Sequence, residues 1–248
     1  MSSIIKIIEE KPIPSQPIVI NGLPDVGLVG VIAVSEMISS LNMEEVAKVE
    51  SELLPPIIVL HKGLPYAPIR FFNKNNLMAL VSEIALPSLS VFPMASEIVN
   101  WARQKKAKLM ISLGGIAEPN RQNIESPKVF GAASTPTTLK NLEDHGIEIL
   151  GEGYLVGAYA LILKNCAEMK IDSIALLAQS FYNYPDPEAA AAVLTQLNKI
   201  LNLKIDVTDL LKKGEQIRLK ARDVMKRTQM EMERMSKAQE YASPPLYV

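Results

Sequence analysis

Histidine, cysteine and acidic side chains near glycine turns are the groups in this chain equipped for chemistry, and their spacing argues against catalysis. Histidine is the commonest general base near neutral pH. His61 sits in His61-Lys62-Gly63, a hairpin-turn sequence, and His145 precedes Gly146 at an expected helix end, so both read as solvated turn residues. With one cysteine, no C-x-x-C and no i, i+4 histidine pair, the sequence predicts no metal site and no cofactor. Cys166 follows the apolar stretch Leu161-Ile162-Leu163 and reads as a buried, inert thiol.

The best ligand-loop candidate is Gly22-Leu23-Pro24-Asp25-Val26-Gly27-Leu28-Val29-Gly30, which follows an expected strand and opens an expected helix, as phosphate-binding loops do. Its spacing departs from G-x-G-x-x-G, and Leu28 and Val29 stand where a Walker loop places Lys and then Ser or Thr. Gly27 and Gly30 are therefore expected to serve a tight turn and close helix-to-sheet packing. A second reading keeps a cleft at the strand ends, lined by Gly114-Gly115 and Gly151-Glu152-Gly153, with Asp25, Glu83, Glu118 and Arg121 as its polar groups. That cleft would take a nucleoside-like small molecule, as a binding protein or an enzyme. No residue is read as catalytic.

The C-terminus offers a different chemistry. Pro244-Pro245 form a semi-rigid spacer before Leu246, Tyr247 and Val248, which present two apolar anchors, a phenol and a free carboxylate. Burial of Leu246 and Tyr247 in a partner would contribute a few kcal/mol, and capture of the carboxylate would fix register. From these residues alone, a docking peptide and an accidental frayed end are both open.

The elements behind these candidates come in two regimes that change near Asp206. Residues 1–206 alternate strand-length apolar runs with helical patterns and turns, the signature of an α/β layered domain. Expected strands are Pro17–Ile20, Ile57–Leu60, Ile69–Phe72, Met78–Val81, Leu109–Leu113 and Ile174–Ala178, the second to fourth of these as an antiparallel meander and the fifth broken by Gly114-Gly115. Expected helices run over Leu28–Leu41, Met94–Lys106, Gly157–Met169 and from Asp186-Pro187-Glu188 to about Leu201, the last with an N-cap, a first-turn proline and a first-turn acid. Residues 207–241 are charged, free of proline and rich in helix formers, with Ile217, Ala221, Val224, Thr228, Met232 and Met235 on one face. This arm is either a helix or helical pair packed on its own core, or a coiled element for self-assembly. Residues 242–248 form an extended tail.

Composition closes off other classes. Lys and Arg number 26 against 27 Asp and Glu, so no global field draws the protein to nucleic acid or an anionic membrane. A single cysteine fits a reducing, cytoplasmic setting. The apolar start Met1-Ser-Ser-Ile-Ile-Lys-Ile-Ile meets Glu9, Glu10 and Lys11 too soon for a signal segment, and no later run is long enough to span a membrane.

With the core segments Asn21-Gly-Leu-Pro-Asp-Val-Gly-Leu-Val-Gly30, Ser112-Leu-Gly-Gly-Ile116, Gly151-Glu-Gly-Tyr-Leu-Val-Gly157 and the Pro185-Asp-Pro187 helix start, residues Pro17 to Leu203 resemble the proteasome assembly chaperone family, most closely its archaeal, ATP-independent members. The hydrophobic-Tyr-any terminus is similar to the motif by which proteasome activators dock. The resemblance implies a three-layer α/β/α sandwich with a mixed sheet, nucleoside-phosphorylase-like in shape without that chemistry, plus a C-terminal helical extension. It further implies a homo-oligomer, tetrameric or else pentameric, that assists or activates the 20S proteasome without being an enzyme. Leu246 and Tyr247 would fill an intersubunit pocket of the α-ring, and the Val248 carboxylate would pair with a pocket lysine. Several tails on one oligomer would raise avidity.

Overall fold

The structure, a computed structural model, describes the backbone of residues 4–242 and the side chains up to Met235, Asp209 excepted. The predicted tail, Leu246, Tyr247 and Val248, lies outside the described residues. Eleven strands form in chain order: β1 (Ile5–Glu9), β2 (Ile18–Gly22), β3 (Glu44–Ser51), β4 (Val59–His61), β5 (Leu64–Tyr66), β6 (Ile69–Lys74), β7 (Leu77–Ser82), β8 (Leu109–Ala117), β9 (Val129–Ala133), β10 (Glu148–Ile149) and β11 (Ser173–Ser180). The helices are α1 (Val29–Ser40), α2 (Ser88–Gln104), α3 (Pro136–Asp144), α4 (Ala158–Met169), α5 (Pro187–Leu201), α6 (Thr208–Lys212) and α7 (Gly214–Ala242).

Nine strands make one mixed sheet, ordered β1-β3-β6-β7-β2-β8-β11-β9-β10. The β1, β3, β6 and β7 pairings are antiparallel, whereas β7, β2, β8 and β11 run parallel at the centre. Central parallel strands are covered on both faces, so they read as continuous apolar runs. Their period of two divides neighbours between two cores. Ile20 and Ile111 pack with α1 and α5 on one face, while Val19 and Met110 pack with α2 and α4 on the other. The result is the expected three-layer α/β/α sandwich with a mixed sheet.

Three local expectations change. The run Ile57–Leu60 does not join a meander: β4 pairs only with β5 in a separate hairpin, where Pro55, Pro56, Pro65 and Pro68 limit backbone donors. The sheet neighbour of β6 is instead β3, whose charges alternate with Val46, Ala47 and Val49. Gly114-Gly115 does not break β8, which continues to Ala117. Helix α2 begins at Ser88 and carries Pro93 internally, giving up one backbone donor.

A buried ion pair joins the sheet to α5. Arg121 follows β8 and donates through Nε to Asp186 Oδ2 at 2.8 Å and through Nη2 to Oδ1 at 3.0 Å, a bidentate geometry. The same carboxylate accepts the backbone N–H of Phe181 at 3.2 Å and, as the α5 N-cap, that of Ala189 at 3.1 Å. The Asp186 N–H in turn donates to the Gly27 carbonyl at 2.9 Å. Arg121→Met would strand this carboxylate, so we expect a loss of about 3–5 kcal/mol in urea unfolding followed by Trp101 fluorescence. Lys164→Ala, in the exposed Lys164–Glu168 pair, should change stability by less than about 0.5 kcal/mol. Equal effects of the two would remove Arg121 from its structural place.

Candidate functional site

The parallel strands β2, β7, β8 and β11 all finish on one side of the sheet, and a crevice opens outside the ends of β2 and β8, where α/β proteins commonly bind ligands. The turn after β2 shapes it. Gly27 takes a φ of 65° and Leu28, fully buried, a φ of 50°, so the chain turns left-handed twice before α1 begins. A Cβ on Gly30 would stand 2.2 Å from the Leu113 carbonyl, which is why α1 approaches β8 so closely. The tight-turn and close-packing roles read from the sequence for Gly27 and Gly30 are what the backbone does.

The crevice leads into a cavity of about 190 Å³. Asn21 and Ser112 reach it from β2 and β8, Asp25 from the turn, Ala158 and Tyr159 from the first turn of α4, and Thr228 from α7. Glu231 lines it too, with its carboxylate taken by the Ser88 N–H and by Arg234; the walls are otherwise largely apolar and include no Lys, Arg or His among the described residues. Asn21, Asp25, Ser112 and Thr228 are 2, 6, 2 and 3% exposed. Each nevertheless has a side-chain oxygen without a hydrogen-bond partner, and only two further such atoms, Arg70 Nε and Ser173 Oγ, occur among the described residues. A buried polar group left without any partner, water included, costs about 1–3 kcal/mol, so four around one cavity mark a polar site that calls for an occupant rather than an apolar packing gap.

Asp25 is the electrostatic centre of the cavity. Its Oδ2 accepts the Gly115 N–H at 2.6 Å. Burial pushes its pKa well above the usual carboxylate range, more strongly than the Gly115 and Gly30 amides pull it down, so the neutral acid is favoured. Burial, and then the proximity of Asp25, push the Tyr159 phenol up as well.

Helix α7 roofs the cavity and joins the two helical layers. At its start, Arg218 Nη2 grips both oxygens of Glu188 in the first turn of α5, at 2.9 and 2.8 Å. Ile217, Ala221 and Val224 pack on the α1/α5 core, Met225 and Thr228 are buried, and Met235 reaches the α2/α4 core. Glu231 Oε2 accepts the Ser88 N–H at 2.8 Å. Since α2 begins after Pro87 with no side-chain cap of its own, Glu231 supplies the missing acceptor at a positive helix terminus. The apolar stripe predicted for residues 207–241 therefore faces the protein's own core, as a short helix followed by a long one.

Of the four polar residues suggested for a strand-end cleft, only Asp25 lines the cavity. Arg121 is consumed by Asp186, Glu118 Oε2 accepts from Gln179 at 2.9 Å, and Glu83 pairs with Arg70 and His61 near the β4–β5 hairpin. Gly151 and Gly153 border open space and do not share the cleft, whereas Gly157, the α4 N-cap, does line it. Cys166 is buried with its Sγ 3.4 Å from Met110 Sδ, and desolvation pushes its pKa to about 11, so it stays a thiol. His145 lies at the end of α3 with Nδ1 2.7 Å from the Asn141 carbonyl. Asn21, Ser112 and Thr228 are site residues that the sequence reading misses, although each interrupts an apolar run or stripe and can be flagged on that ground.

A carboxyl group whose pKa is raised in the folded state holds a proton that the unfolded chain has released, so its ionisation weakens the fold as pH rises through the interval between the two values. Asp25→Asn removes that linkage. Melting curves between about pH 5 and pH 8 should show the variant gaining on the parent by ~1 kcal/mol or more, since a tenfold difference in acidity between folded and unfolded chains is worth ~1.4 kcal/mol. A gap independent of pH would mean that Asp25 is ionised throughout.

Comparison with known proteins adds a lineage to this geometry. A family model described as the PAC2 family matches residues 19–225, from β2 into α7. An uncharacterized protein of Methanocaldococcus jannaschii is 32% identical over 246 residues, covering 98% of each chain. The crystal structure of Pyrococcus furiosus PbaA, an archaeal homolog of proteasome-assembly chaperone, is similar with a TM-score of 0.86 and 33% identity, covering 91% of this chain and 98% of that one. Pyrococcus furiosus PbaB, an archaeal proteasome activator, shares the fold at 24% identity with a TM-score of 0.75, covering 90% of this chain and 99% of that one. With the family model spanning both cores and the start of the long helix, the chain belongs to the PAC2 family.

Proposed function

We propose that this protein is a proteasome-binding assembly chaperone or ATP-independent activator that works by docking rather than catalysis. The observation that carries the proposal is the 33% identity, over 91% of the chain, to an archaeal homolog of proteasome-assembly chaperone. In this reading residues 1–206 are the α/β/α body, 207–241 the arm and 242–248 the docking tail. Leu246 and Tyr247 enter an intersubunit pocket of the 20S α-ring, and the Val248 carboxylate pairs with a lysine there. The way α7 is fastened at Glu188 and Ser88 supports the idea, because a tail on a fixed arm loses less entropy on binding than one on a free chain.

A single short tail binds weakly, so the proposal includes a homo-oligomer, tetrameric or pentameric, that presents several tails together. In its support, two groups of apolar side chains are exposed: Ile58, Leu60 and Leu64 around the β4–β5 hairpin, and Leu89 and Phe92 on α2. The working compartment is the cytoplasm, which the single cysteine favours.

Deletion of Leu246–Val248 should abolish complex formation with purified archaeal 20S proteasome while leaving the subunit number unchanged. A rise in peptide hydrolysis with intact protein alone would assign gate opening; binding without it would assign assembly or escort. Equal binding by both forms, or by neither, refutes the docking tail. Leu60→Glu and Phe92→Glu should lower the mass seen by light scattering if those surfaces hold the oligomer together.

A further inference from the structure

We propose that the cavity beneath α7 is a binding site for a small uncharged molecule with an amide or lactam edge on an apolar body, and that its occupant fastens the arm to the core. Binding there would be a property separate from proteasome docking and independent of it. Buried polar side chains almost always find partners, yet Asn21 Oδ1, Asp25 Oδ1, Ser112 Oγ and Thr228 Oγ1 lack them and all belong to residues lining this one space. At about 190 Å³ the space exceeds what a single water needs.

The chemistry of the four groups restricts the occupant. Asn21 Oδ1 is an acceptor, and the amide is oriented by its nitrogen, which donates to the Ile111 carbonyl at 3.4 Å. Asp25 leaves Oδ1 without a partner, its other oxygen being taken by the Gly115 amide, and a carboxyl that burial biases toward the neutral acid can donate there as well as accept. The two hydroxyls donate or accept as required. A ligand that carries both a donor and an acceptor suits this set, and the edge of a primary amide, a lactam or a ring urea offers the two together. Leu23, Val91, Leu113, Ile162 and Met232 supply apolar walls for the remainder of the molecule. With no cation in the lining, a carboxylate or phosphate would be buried without compensation, and the carboxylate of Glu231 is already met by the Ser88 N–H and Arg234 rather than left for a cationic ligand. Half-exposed Val156 and Tyr182 stand at the rim.

Thr228, Met232 and Met235 belong to α7, whereas Asn21, Asp25 and Ser112 belong to the sheet side. An occupant thus bridges two segments more than a hundred residues apart, and its binding energy opposes separation of the arm from the core.

The test uses the full chain with benzamide, nicotinamide and uracil as neutral probes and benzoate and inorganic phosphate as charged controls. Saturation-transfer NMR at millimolar probe should detect at least one amide and neither control. The bound amide should raise the melting temperature and slow hydrogen exchange in residues 225–235. Ser112→Ala and Thr228→Val should each weaken binding by roughly five- to tenfold. Val156→Trp, placed at the rim so that folding is spared, should block entry, and Ala158→Leu should fill the space. Absence of binding by every neutral amide, equal binding of benzoate, or binding that survives both blocking variants overturns the proposal. A crystal structure of the amide-soaked protein with only ordered water on the four oxygens would do the same. None of these readouts involves the proteasome, so they fail or succeed independently of the docking tail.

Discussion

The carboxylate of Asp186 is where the architecture is tied together. It lies in the interior, where an uncompensated charge is costly, and the fold answers with a bidentate guanidinium and two backbone amides. Each donor comes from a different segment: the turn after β8, the end of β11 and the first turn of α5. The Asp186 amide adds the glycine turn after β2. One residue therefore ties three connections at the same end of the sheet, those after β2 and β8 and the one from β11 to α5, and Phe181 stacks over Arg121 at 5.0 Å to shield the pair.

From that knot the arrangement extends outward to the arm. Glu188, two residues along from Asp186, is the partner that Arg218 needs, so the seat of α7 is set by the same helix start. The helix then spans about 40 Å at ~1.5 Å per residue, enough to leave α5, cross the strand ends and reach α2. Such a crossing encloses a space between roof and sheet. The cavity is thus a product of how the arm is mounted, and its polar lining is what sets it apart from an ordinary packing defect.

Much of this is legible in the residues and some is not. The central strands, α1, α4 and α5 announce themselves through apolar runs and cap chemistry, Asp186-Pro187-Glu188 most clearly, because those signals are local. Strand β3 is hidden because Glu44, Glu45, Lys48 and Glu50 mask its buried positions, and β9 because Gly131 and its alanines carry little apolar weight. Pro93 conceals the first turn of α2 by suggesting a boundary where the helix simply forgoes a bond. The site is half visible. Asp25 stands in a conspicuous glycine turn, but the polar residues that share its cavity come from β2, β8 and α7, and only the assembled sheet and its roof bring them together. Glu83 and Arg121 have the right types and find other partners, since charge is satisfied by whichever neighbour the fold places nearest.

The start of α2 carries a consequence for motion. Its first turn lacks a cap in its own sequence and borrows an acceptor from Glu231, a residue 143 positions later. If the arm lifts, the Ser88 N–H loses its acceptor, so fraying of that helix end is coupled to the seating of the arm. The protein has in this way made the completeness of a helix in one layer a report on the whereabouts of a helix from the far end of the chain.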